Sequence, residues 1–96
     1  MPEYEKKQQK TSEAYKEYRE EFYRQGSGTG DQRIAGKNRE MQQKTEKLTE
    51  ALREQHAVAP STSARAETAE AIARYAAEAK EFGERADHYE NKQNKG

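Results

Sequence analysis

The sequence predicts an all-α fold: a three-helix up-down-up bundle, or an extended helical hairpin, with coiled-coil-like seams. Three observations carry this. Thr68, Ile72, Tyr75, Ala79, Phe82, Ala86 and Tyr89 are spaced alternately by four and three residues. That is the a/d rhythm of a helix laying one narrow seam on another. Two further stretches carry related spacings. Between the three lie two short segments rich in helix breakers, GSGTGD and AVAPSTS.

The first helix is expected over about residues 2–25. Pro2 suits the first helical position, where no hydrogen bond is lost. Glu3 and Glu5 then sit where the macrodipole favours anions, and Arg19 and Arg24 bracket the far end. Tyr4, Gln8, Thr11, Tyr15, Tyr18 and Phe22 share one stripe, with Tyr23 off it. Gly26 is expected to end this helix in the left-handed conformation. Thr29 with Gln32 has capping-box spacing for the next helix, and Asp31 is an alternative cap.

The second helix is expected over about residues 31–57, with Gly36 inside it costing about 1 kcal/mol relative to Ala. Ile34, Met41, Leu48 and Gln55 fall seven apart, as do Asn38, Thr45, Leu52 and Ala59. Asn38, Thr45 and Gln55 make this a polar, register-setting seam. Pro60 cannot continue the helix and biases Ala59 away from helical angles. Ser61, Thr62 and Ser63 are all competent caps for a third helix over about residues 62–91, followed by a flexible tail, 92–96. Ala69, Ala73, Ala76 and Ala77 form a small-residue stripe beside the aromatic one. The 96 residues make one domain at most.

Apolar material is scarce. The hydrophobic fraction is 30%, against roughly 45–50% in ordinary globular chains. Leu, Ile, Val and Phe number seven in all. Disorder would combine such poverty with high net charge, yet 18 basic residues balance 18 acidic ones. Marginal stability as a monomer is expected, with burial completed by self-association or a partner. The absence of cysteine excludes disulfides and thiolate metal sites. No apolar run approaches a signal or membrane-spanning length, so a cytoplasmic protein without membrane association is the expectation.

The candidate chemistry is weak. The glycine loop lacks the Lys-Ser/Thr ending of a phosphate-binding loop and follows a charged helix rather than a strand, so it reads as a linker. His56 closes the second helix. Glu84 and His88, one turn apart, supply two ligands where zinc needs three or four. Neither metal nor cofactor is expected, and with so little material for a pocket, no catalysis.

Two binding surfaces stand out. Tyrosines bring area and a polar tip with little rotamer entropy. Tyr15, Tyr18, Phe22, Tyr75, Phe82 and Tyr89 are expected to pack as an aromatic seam between the first and third helices. Tyr4 and Tyr23 remain as interface candidates, with the flat face of Ala69, Ala73 and Ala76. The second surface is basic: Arg33, Lys37, Arg39, Lys44 and Lys47, with Arg24 across the loop. Glu40, Glu46 and Glu50 interleave with it, which suggests helix-surface pairing at i,i+4 rather than a nucleic-acid footprint.

The expected function is therefore a non-enzymatic helical protein–protein interaction module (an adaptor, assembly factor or inhibitor of the kind carried by phages and plasmids) that docks a helical face on a protein partner. An oligomeric nucleic-acid accessory protein using the basic strip is the first alternative. A hydrophilic stress-type protein is the second, against which the ordered caps and sustained heptads argue.

Overall fold

A computed structural model describes residues 2–26 and 28–95. It is all-α, with α1 Glu3–Tyr23, α2 Gly30–Ala57 and α3 Thr62–Lys95 and no strand among the described residues. Both α1 and α3 run antiparallel to α2. Contacts pair Lys7 with Glu54 and Glu17 with Lys44 on one side, and His56 with Thr68 and Arg39 with Asp87 on the other. Among the described residues, no Cα of α1 comes within 8 Å of one in α3. The cross-section is a shallow triangle with α2 as its floor, inside an envelope of 52 × 20 × 14 Å. The 34 residues of α3, at about 1.5 Å each, account for the long dimension.

The ends of the helices form in ways the sequence only half shows. Pro2 is the residue before α1, with ψ 145°, rather than its first turn. At the far end Arg24 turns extended and its N–H reaches back to the carbonyls of Glu20 and Glu21. No basic residue lies in the last turn of α1. Lys37, reaching across from α2, supplies that cation instead, donating to the carbonyl oxygens of Glu21 and Arg24. Gly26 is not left-handed. The positive φ values belong to Gly28 (86°) and Gly30 (57°). Gly26 is needed for closeness, since an added Cβ would meet the Arg33 carbonyl oxygen at 3.2 Å and Lys37 Cβ at 3.3 Å.

Thr29 precedes α2, but its side chain makes no capping bond. Asp31 contributes from the first turn as an anion near the positive end of the dipole. Ser61 does cap α3, its Oγ accepting from the Ala64 N–H at 3.1 Å. The expected tail is shorter than the sequence suggests. Helix α3 continues to Lys95, past Asn91, and Gly96 lies outside the described residues.

The seams of α2 and α3 pack as spaced. Met41, Leu48, Thr45, Leu52, Gln55 and Ala59 are buried, as are Thr68, Ala79 and Ala86. Ile34, at 40% exposure, leaves the pattern, and Asn38, Ile72, Tyr75, Phe82 and Tyr89 are half-buried. The α1 stripe is rotated. Its buried residues are Ala14, Tyr18 and Glu21, while Tyr15 and Phe22 are 40% and 49% exposed. The core is Ala14, Tyr18, Met41, Leu48, Ala51 and Leu52, with Ala71, Ile72, Tyr75 and Phe82 packed against it. Buried threonines bond within their own helix, Thr45 to the Met41 carbonyl at 2.6 Å and Thr49 to the Thr45 carbonyl at 2.8 Å. Of the expected polar seam, only Gln55 bonds across helices, donating to the Tyr4 hydroxyl at 3.1 Å. Asn38 donates to its own helix, at the Ile34 carbonyl.

Candidate functional site

Because the backbones of α1 and α3 lie against α2 and stay apart from each other, a groove runs between them. Its lower half is a cleft of about 380 Å³. Leu48, Leu52 and Gln55 of α2 form the floor, Tyr4, Gln8, Thr11, Ser12 and Tyr15 one wall, and Glu67, Thr68, Ala71 and Tyr75 the other. Higher up, long aromatic side chains bridge the gap that the backbones leave. The rings of Tyr18 and Tyr75 meet edge-on with centroids 5.4 Å apart, and those of Phe22 and Phe82 at 6.3 Å. Thus the expected aromatic seam between α1 and α3 exists, but as a bridge over α2 rather than a helix–helix interface. Tyr15, Phe22 and the 79% exposed Tyr23 remain on its open side.

The Tyr18 hydroxyl donates to the Glu78 carboxylate across the bridge. Burial first, then that acceptor, pushes the Tyr18 phenol well above its ordinary range. Burial likewise raises Tyr75. Two arginines flank the bridge. The Arg19 guanidinium lies 6.0 Å from the Tyr15 ring centre and that of Arg74 lies 5.6 Å from Tyr75, within cation–π range. Arg74 also approaches Glu78 at 3.6 Å.

The five interface candidates do not converge. Tyr4 lines the lower groove, whereas Tyr23 stands at the opposite end of α1. Ala69 and Ala73 are exposed. Ala76 lies with Ala79 and Lys80 beside Glu46, Thr49, Glu50 and Arg53 of α2. The residues that form the groove's open face are instead Tyr15, Phe22 and Tyr75 with Arg19 and Arg74. The signal for Tyr15 and Phe22 was present as their bulk, which a close helix contact does not accommodate. Arg74 had a weaker one, its position next to Tyr75.

The basic strip is held in internal pairs. Arg24 pairs with Glu21 and Glu40, and Lys37 with Glu21. Arg39 bridges to Asp87 at 2.7 Å and Glu90 at 3.0 Å on α3. Lys44 and Lys47 share Glu17 of α1, at 3.3 and 2.7 Å. Apart from Arg24–Glu21, these pairs cross between helices, unlike the i,i+4 pairing expected along α2. Arg33 is exposed. The pattern of one carboxylate clasped by two cations recurs at Glu54, with Lys7 and Lys10 at 2.9 and 2.7 Å. Hydrogen bonds from Lys10 and Lys7 hold the Glu54 carboxyl down to about 2, and those from Lys47 and Lys44 lower Glu17. At Glu21 burial pushes upward, but the bonds from Lys37 and Arg24 outweigh it, leaving the carboxyl below its ordinary value.

His56 Nδ1 lies 2.8 Å from the buried Thr68 hydroxyl, so this histidine ties α2 to α3. His88 is exposed, its ring edge-on to Tyr89. Among the described residues, no three His, Cys, Asp or Glu side chains gather as a metal site, and no helix is long and apolar enough to cross a membrane. The chain matches no family model, no curated protein and no solved structure.

Proposed function

We propose that this chain is a non-enzymatic helical interaction module, an adaptor, assembly factor or inhibitor, that receives a helix of a protein partner in the groove between α1 and α3. The observation that carries the reading is the groove itself. No helix of the described residues covers its open side, where Tyr15, Phe22 and Tyr23 stay exposed on a molecule with little apolar surface to spare, above a floor of Leu48 and Leu52 that is already buried. An apolar groove between helices, rimmed by polar groups, is the usual receptor for an amphipathic helix. The nucleic-acid alternative loses support, because Arg24, Lys37, Arg39 and Lys44 are already engaged with carboxylates.

Affinity purification from the source cells, comparing the wild-type chain with a Tyr15→Ser/Phe22→Ser/Tyr23→Ser variant, tests the proposal. A protein retained by the wild type and lost from a variant with unchanged helicity supports it. Equal recovery by both sinks it.

A further inference from the structure

The groove is electrically polarised along its length. At the end nearer Tyr23, Arg19 of α1 and Arg74 of α3 flank the ring bridge from opposite walls. Arg19 makes no ion pair among the described residues, and Arg74, with a side chain 73% exposed, has only the 3.6 Å approach to Glu78. Glu78 is itself shared with the Tyr18 hydroxyl. At the end nearer Tyr4 the only charged lining residue among those described is the exposed Glu67.

Given the docking function proposed above, on which this step rests, we infer that the occupant is a partner helix running antiparallel to α1 and α3, with acidic side chains in its N-terminal half and lysine or arginine near its C-terminal end. Helices favour acids in their first turns and bases in their last. A helix entering from the Arg19 and Arg74 end meets cations with its acidic turns and Glu67 with its basic turns. The reverse orientation sets its basic turns against the two arginines. Antiparallel placement continues the up-down-up order into a four-helix arrangement. From Tyr4 to Tyr23 the wall spans 19 helical steps, or about 28 Å at 1.5 Å per residue. A helix of about five turns spans it, lying along the cleft at the Tyr4 end and over the ring bridge toward Tyr23. A phosphate backbone is disfavoured because Glu67 and Glu78 sit in the same groove.

A display library tests this directly. Peptides of about 19 residues carry fixed leucines at i, i+3, i+4 and i+7 spacing, with all other positions drawn from Glu, Lys and Gln, and are selected on the full chain. Enrichment of Glu in the first turns and Lys in the last is expected. The selected peptides should bind an Arg19→Glu/Arg74→Glu variant, checked for wild-type helicity, about fivefold more weakly at low salt, as two exposed charge contacts of up to about 1 kcal/mol allow.

Peptides that bind in the groove with no charge polarity, or the opposite one, overturn the inference and leave the docking function standing. Failure of any peptide to enrich, or binding undiminished by a blocking Tyr15→Glu/Phe22→Glu change, overturns both. A concentration-dependent dimer, or a labelled single-stranded oligonucleotide bound at low salt, either one lost on that same change, replaces the partner helix with a second copy or a nucleic acid.

Discussion

Glu54 and Glu17 each receive two lysines from a neighbouring helix, and Glu21 receives Lys37 and Arg24. All three carboxyls are held below their ordinary value. A depressed folded-state pKa contributes stability that is present above the unfolded value and lost as pH falls through the folded one. For Glu54 the window runs from about 4.5 down to about 2. The midpoint of thermal unfolding, followed by circular dichroism, is therefore expected to hold steady from pH 7 to about 5.5 and to fall steeply below 4.5. General charge repulsion also grows in acid, so the discriminating comparison is Glu54→Gln, whose midpoint should fall less steeply through that window. An identical acid profile for the two proteins would count against the pairing. A separate residue-scale effect lies at Gly36, exposed within α2 and with nothing within 4 Å of an added Cβ. Gly36→Ala should stabilise by about 0.5–1 kcal/mol, read as a rise in the urea midpoint at unchanged slope.

Between elements, α1 shows where sequence reading reaches its limit. Tyr4, Gln8, Thr11, Tyr15, Tyr18 and Phe22 form one heptad frame, and Tyr4, Lys7, Thr11, Ala14, Tyr18 and Glu21 form another. They share three residues and differ by a small rotation. Hydrophobicity favours the first frame; packing chooses the second. Ala14 lets α1 approach α2 closely, while the Phe22 ring reaches sideways to Phe82 of α3 and the exposed Tyr15 ring stacks on Tyr18. Glu21 becomes a tolerable buried residue because Arg24 and, from sixteen residues away, Lys37 neutralise it, and no local pattern announces the second of these partners. By contrast α2 and α3 were legible through most of their middles, where Met41, Thr45, Leu48 and Leu52, and Thr68, Ala79 and Ala86, are buried as spaced; Thr49, Ala51 and Gly83 are buried beside that spacing. Lys37 has a second role, on the carbonyls ending α1. Lys37→Met should cost about 1–3 kcal/mol, because Glu21 is left charged and under-paired in a buried place. Adding Glu21→Gln should recover part of that loss. A double-mutant cycle by urea unfolding that shows no coupling would remove Lys37 from this role.

At the scale of the whole molecule, scarcity governs both stability and shape. The radius of gyration is 15.8 Å, against about 12.5 Å for a compact chain of this length. Spreading the chain into a shallow triangle leaves the floor of α2 covered by two helices where a four-helix bundle would supply three. Few large side chains are deeply buried, and Leu48 at 1% exposure is the largest among the fully buried ones. Replacing it with alanine should cost about 2–5 kcal/mol, comparable with the roughly 5 kcal/mol expected at the low end for a domain of this size. Leu48→Ala is thus expected to be largely unfolded at 25 °C by circular dichroism. Leu48 lies beneath the groove, already covered, so the burial a docked helix adds falls on the exposed Tyr15, Phe22 and Tyr23 above it. Binding to the folded state alone adds about 2.7 kcal/mol at a hundredfold excess over Kd. A groove-binding helix should therefore raise the unfolding midpoint of the wild-type chain and return much of the helicity of Gly36→Ala/Leu48→Ala, a background in which the glycine change offsets part of the loss. A helix that associates with the chain yet leaves its midpoint unmoved would show that it binds the unfolded chain as well, and that the folded groove is not its receptor.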